Sequence, residues 1–362
     1  MVHFERNYTL SLFYHQKKNT IRLFGTLFNY YVIFQVLFVS KSSLVKGACG
    51  VGLGFLCQDL LTRVEAADDS AVKKETEKVP ESELLGKIVG ALATMIQQRT
   101  KCSSDALDSL CFPLGNDVNA DVFELSSEDS EDSDDLEEDI WGVAGLVFGL
   151  ATSISALYRA GELENIIKIK NLVISWLPHT NSLFQSTDLQ GGKSDIVLAL
   201  GSCIALPTIV TFCQRMELMD DNELDHIVFG FKGFISELIS VKKSGILHHS
   251  LLMASCVGAG TVISCILNEG VHSIEVECVK CLLELFRKCY SNPFPFLVHL
   301  GGMLGVVTAM GAGIGILVYM NFPNYSRQST YQKEVIYLII KLLPFVSHHI
   351  FPPYFILKYL IM

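Results

Sequence analysis

Hydrophobic and polar positions alternate along this chain on two length scales. Uncharged stretches begin near Trp141 (WGVAGLVFGLATSISALY), Ile196 (IVLALGSCIALPTIVTFC), Leu247 (LHHSLLMASCVGAGTVISCIL) and Leu297 (LVHLGGMLGVVTAMGAGIGILV), at intervals of 55, 51 and 50 residues. A period near fifty is the mark of stacked repeats. An earlier copy, LVKGACGVGLGFLCQDLL, starts at Leu44, 97 residues before Trp141. Removing one period from that interval leaves an insertion within the first repeat.

Each uncharged stretch is followed by a segment with helical period. In 274–290, Val279, Leu282, Leu283 and Phe286 follow i, i+3, i+4, i+7, while Glu277, Lys280, Glu284 and Arg287 hold the opposite face. Leu224, Ile227, Val228, Phe231, Ile235 and Leu238 mark 223–240; Ile166, Ile169, Val173 and Leu177 mark 163–177, which Pro178 stops. Leu84, Ile88, Leu92 and Met95 mark a fourth. The unit is an all-round apolar helix followed by an amphipathic one. An enclosed helix covered on one side by its amphipathic partner must be covered on the other by the next repeat. Gly, Ala and Ser in the apolar helices allow close approach. The expected fold is all-α: an α-solenoid of HEAT or armadillo-like helix pairs, with a first repeat at 44–98 and further repeats over 141–330.

Charge interrupts this pattern once. Residues 126–139, SSEDSEDSDDLEED, carry −9 of the chain's formal −10, so the remainder is almost neutral. Such a block cannot bury enough apolar surface to offset the entropy of ordering, and 99–140 is expected to be an acidic disordered insertion. It reads as a solubilising linker or as a docking tail in which Ser126, Ser127, Ser130 and Ser133 are phosphorylation candidates for an acid-directed kinase. With no broad basic surface, direct nucleic-acid binding is not expected. Eleven cysteines in 362 residues fall mostly within apolar runs, which points to a reducing compartment.

Half of the residues are hydrophobic and only 18% are charged, so a multi-pass or N-terminally anchored membrane protein is the alternative. Against it stand His248, His249, Pro207 and the 311–315 glycine run inside the apolar stretches, and the absence of alternating Lys/Arg bias. The chain ends differ from the body. Residues 1–43 contain LFGTLFNYYVIFQVLFVS after Lys17, Lys18 and Arg22, and 331–362 form a bulky apolar stretch broken by Pro344, Pro352 and Pro353. Both fit either membrane anchors or translated non-coding sequence flanking a truncated gene model.

No catalytic constellation is expected. Gly191-Gly192-Lys193-Ser194 resembles the end of a phosphate-binding loop, but Thr187 stands where its first glycine belongs, which favours a polar loop between repeats. Cys278 and Cys281 form a lone CxxC that, with Cys289, lies on or beside an apolar helix face, as core packing requires. The pairs His248-His249 and His348-His349 diverge by about 100° on a helix and cannot chelate together unaided. No cofactor or metal site is expected.

The runs KSSLVKGACGVGLGFLCQDLLTR, DIWGVAGLVFGL, ALYRAG, IKIKNLVISWLPH, ALGSCIALPTIVTFCQRMEL and HLGGMLGVVTAMGAGIG resemble the focadhesin-like family over about residues 41–330. Members are very long armadillo/HEAT-type proteins, of which this chain resembles an internal portion. The resemblance implies a non-enzymatic cytoplasmic scaffold whose partners are subunits of the RNA exosome and the Ski complex, acting in mRNA turnover and surveillance. It supplies no catalytic residue.

Overall fold

A computed structural model describes residues 30–60, 80–102, 104–111, 135–177, 189–241, 245–269 and 275–309. Among these residues every regular element is a helix and none is a strand, as the periodicities predict. In chain order they are α1 (Tyr30–Val39), α2 (Ser43–Leu60), α3 (Pro80–Thr100), α4 (Asp105–Leu110), α5 (Asp135–Thr152) and α6 (Ile154–Arg159). There follow α7 (Leu163–Ser175), α8 (Leu189–Arg215), α9 (Asp221–Ser240), α10 (Ile246–Glu269), α11 (Val276–Ser291) and α12 (Phe296–Ala309).

The small-residue helices α2, α5, α8, α10 and α12 pack side by side as one row in sequence order. Their touching residues show the direction of the row. Gly47, Gly50 and Gly54 of α2 lie against Gly142, Gly145 and Gly149 of α5, the same i, i+3, i+7 spacing on both helices. Farther along, Val147 meets Gly201, and Tyr158 meets Phe212 with ring centroids 5.7 Å apart. Cys203 contacts Ser255 and Thr211 contacts Cys265, while Met253 meets Gly301 and Val257 accepts from Thr308. Residue numbers rise together on both sides of every interface, so neighbouring row helices run parallel.

Parallel helices require the chain to return between them. The amphipathic helices do this and form a second layer, with α3 against α5, α7 against α8, α9 between α10 and α11, and α11 on α12. Their apolar stripes face the row: Val279, Leu282, Leu283 and Phe286 of α11 are buried. The start of α9 is fixed by a capping box in which Glu223 N–H donates to Asp220 Oδ1 (2.8 Å) and Asp220 N–H donates to Glu223 Oε2 (3.2 Å).

Close approach in the row depends on absent side chains. A Cβ at Gly258 would sit 2.1 Å from the Cys203 carbonyl oxygen. That carbonyl lies four residues before Pro207, whose ring clashes with it and whose nitrogen cannot bond it. Gly258 of α10 leaves room for this carbonyl.

Among the described residues three stretches, Ile140–Arg159, Asp195–Arg215 and Ile246–Ile266, are long and apolar enough to cross a membrane by length and composition. In the fold 72–78% of each is buried against other helices.

Several boundaries differ from the sequence pattern. Part of the expected 1–43 segment belongs to the packed structure, since α1 buries Tyr30 and Leu37, and Ile33 reaches Gly52 of α2. Within 99–140, expected to be a loop, α4 buries Leu107 and Leu110, and Asp135–Asp139 already form the start of α5. A Ser104 side-chain cap on Leu107 N–H supplies the nucleus for α4, a local signal that the nearby acidic tract hides. Gly191–Ser194 fall within the first turns of α8 rather than in a loop. Residues 1–29 and 310–362 lie outside the described residues.

Candidate interaction surface

Most of the histidine and cysteine candidates lie among the described residues. Among them no group of three or more His, Cys, Asp or Glu converges in a way that could hold a metal ion. His248 and His249 stack edge to face with centroids 5.9 Å apart. Burial lowers the His248 pKa, the Leu238 backbone opposes that, and His249 adds to it. All eleven cysteines are free thiols. Burial pushes Cys57, Cys203 and Cys213 up to about 12, and Cys278 up to about 11, far from thiolate chemistry at neutral pH. Cys278 and Cys289 are core residues, as their place on the α11 wheel predicts, and Cys281 is half-buried. The serines Ser126, Ser127, Ser130 and Ser133 lie outside the described residues.

One polar site ties successive amphipathic helices together. Lys170 of α7, only 6% exposed, donates from Nζ to Glu223 Oε1 (2.6 Å) and to the Leu218 carbonyl (3.0 Å). Glu223 is also the capping-box residue of α9, so one carboxylate starts that helix and anchors the previous one. Lys170 lies four residues after Ile166 and three before Val173, within the buried stripe. That spacing is the signal from which its burial is legible.

A surface groove of about 800 Å³ lies between α9 and α11. From α9 it is lined by Phe229, Lys232, Gly233 and Ser236, which share one face at i, i+3, i+4, i+7. Phe229 is 44% exposed, and Lys232 Nζ stands 5.7 Å from its ring centroid, within cation–π range. From α11 come Lys280, Cys281, Glu284 and Lys288, spaced as one helical face.

The groove's carboxylates are already engaged. Glu284 accepts from Arg287 Nε (2.8 Å) and Nη2 (2.5 Å), and this hydrogen bonding holds its carboxyl below the ordinary glutamate value. Glu277 pairs with Lys280 at 3.4 Å. Lys232 and Lys288 have no ion-pair partner among the described residues. A Cβ built on Gly233 meets nothing within 4 Å, in contrast to the crowded glycines of the row. The groove is thus an open, mildly basic trough with an aromatic wall.

No protein-family model matches this sequence, no curated protein matches it, and no solved structure matches the chain.

Proposed function

We propose that this chain is a non-enzymatic α-solenoid scaffold of HEAT/armadillo-like helix pairs. The observation that carries the reading is the agreement between sequence period and contact separation. Cys203 and Ser255 touch across 52 residues, Thr211 and Cys265 across 54, and Thr308 and Val257 across 51. Each equals about one repeat, as expected when every unit contacts only its neighbours. Such arrays offer extended surfaces to partner proteins. The family resemblance names the partners: subunits of the cytoplasmic RNA exosome and the Ski complex, in mRNA turnover and surveillance. Affinity purification of the tagged full chain from cytoplasmic extract tests this. Exosome and Ski subunits should co-purify, and their absence overturns the partner assignment.

A membrane protein is the second reading, favoured by the three stretches long and apolar enough to span a bilayer. Their parallel packing counts against it. Each return would drag a charged helix through the bilayer: α7 carries Glu164, Lys168 and Lys170, and α11 carries Glu277, Lys280, Glu284, Arg287 and Lys288. Charged groups at bilayer depth cost about 2.5–3.5 kcal/mol each on insertion scales. Alkaline carbonate extraction separates the readings, with release into the supernatant expected and retention in the pellet overturning the soluble scaffold.

A further inference from the structure

We propose that the groove between α9 and α11 docks an acidic peptide segment of a partner protein. An apolar side chain of the segment lies over Gly233 against Phe229, and its carboxylates meet Lys232 and Lys288. This rests on the scaffold reading above and adds the chemistry of one contact.

Three observations carry it. The first is charge. Glu284 is held chiefly by Arg287 and Glu277 by Lys280, so Lys232 and Lys288 carry the groove's excess positive charge. They call for carboxylates, and two separated cations suit a short acidic segment better than the dense charge of a nucleic-acid backbone.

Glycine supplies the second. A helix-interior glycine costs about 1 kcal/mol relative to alanine. Row glycines such as Gly258 and Gly149 have a packing reason, because a Cβ there would lie 2.1 Å from a carbonyl oxygen of the next helix. Gly233 has no such neighbour and faces open space. What its missing side chain leaves free is the floor of the groove.

The third is the wall. Phe229 stays 44% exposed in the middle of a helix whose neighbouring Phe231, Phe234 and Ile235 are buried. Aromatic side chains are enriched at protein interfaces relative to the rest of the surface.

The test uses the full chain and fluorescence anisotropy. The probe is a short fluorescein-labelled peptide of Asp and Glu residues around a central Trp-Leu pair. It should bind, and binding should weaken as salt rises. Affinity should fall at least about tenfold in Gly233→Trp and in the double variant Lys232→Glu/Lys288→Glu. Gly233→Trp fills the groove without entering the row, and circular dichroism of both variants should match the parent. A peptide with serine in place of Trp-Leu should bind more weakly than the probe. Failure of the probe to bind, or equal affinity for parent and Gly233→Trp, overturns the proposal, as does displacement of the probe by poly-uridine at equal nucleotide and peptide concentration. Co-purification of exosome and Ski subunits is scored separately. If it persists while the probe fails to bind, the groove is wrong and the scaffold stands; if it is lost while the probe binds, the reverse holds.

Discussion

Two glycines, Gly258 in the row and Gly233 in the outer layer, meet opposite surroundings. Both lie inside helices, and both carry the same intrinsic cost relative to alanine. Gly258 is where the Cys203 carbonyl enters; Gly233 opens onto solvent. The row therefore derives its cohesion from backbone approach, with little side-chain volume between helices. The outer layer depends on large side chains: Phe231, Phe234 and Phe286 are among the bulkiest fully buried residues. One layer is intolerant of added atoms, and the other of lost ones.

The largest test removes an outer anchor. Phe286→Ala should destabilise the fold by about 3–5 kcal/mol, because Phe286 is fully buried and touches Gly305. Urea denaturation followed by circular dichroism measures it, and a loss below about 1 kcal/mol would mean the outer layer is not anchored by volume.

Gly258→Ala should cost about 3 kcal/mol, at the upper end for overpacking, because its Cβ would meet a carbonyl rather than a flexible side-chain end. The same change at Gly233 should stabilise by up to about 1 kcal/mol, through helix propensity alone. Opposite signs at the two sites are the sharpest form of the contrast, and equal signs would refute it.

Lys170→Met should cost about 2 kcal/mol, below the range for breaking a fully buried pair, because the Glu223 side chain is 34% exposed and can rehydrate. Adding Glu223→Gln should recover part of this, measured as a double-mutant cycle.

The smallest effect is a pH dependence. Glu284, its carboxyl held below the usual value chiefly by the Arg287 hydrogen bonds, contributes stability that is complete above the ordinary glutamate value. That contribution is lost as pH falls through the lower folded value. Since the side chain is 46% exposed, screening limits it to about 0.5 kcal/mol. Arg287→Gln should flatten the acid limb of the stability profile by that amount.

Helix type and order were legible because a 3.6-residue period is local information. The stripe of Val279, Leu282, Leu283 and Phe286 marks α11 whether or not its neighbours are known. The α4 helix escaped notice because six residues beside an acidic tract give too short a window for periodicity. Cys278 and Cys289 were legible as core residues from the same wheel. The groove was not, since Phe229 reads as one more apolar residue of an amphipathic helix.

By itself, then, the sequence determined an all-helical chain of alternating enclosed and amphipathic helices, with a unit near fifty residues. Tertiary structure alone decided the partnership of Lys170 with Glu223 and the parallel sense of the row. It alone separated glycines that admit a neighbour from the one that leaves a groove. The reason is range. Periodicity is set by residues three and four apart, whereas the space beside a glycine is set by atoms of a distant part of the chain, such as the Cys203 carbonyl beside Gly258.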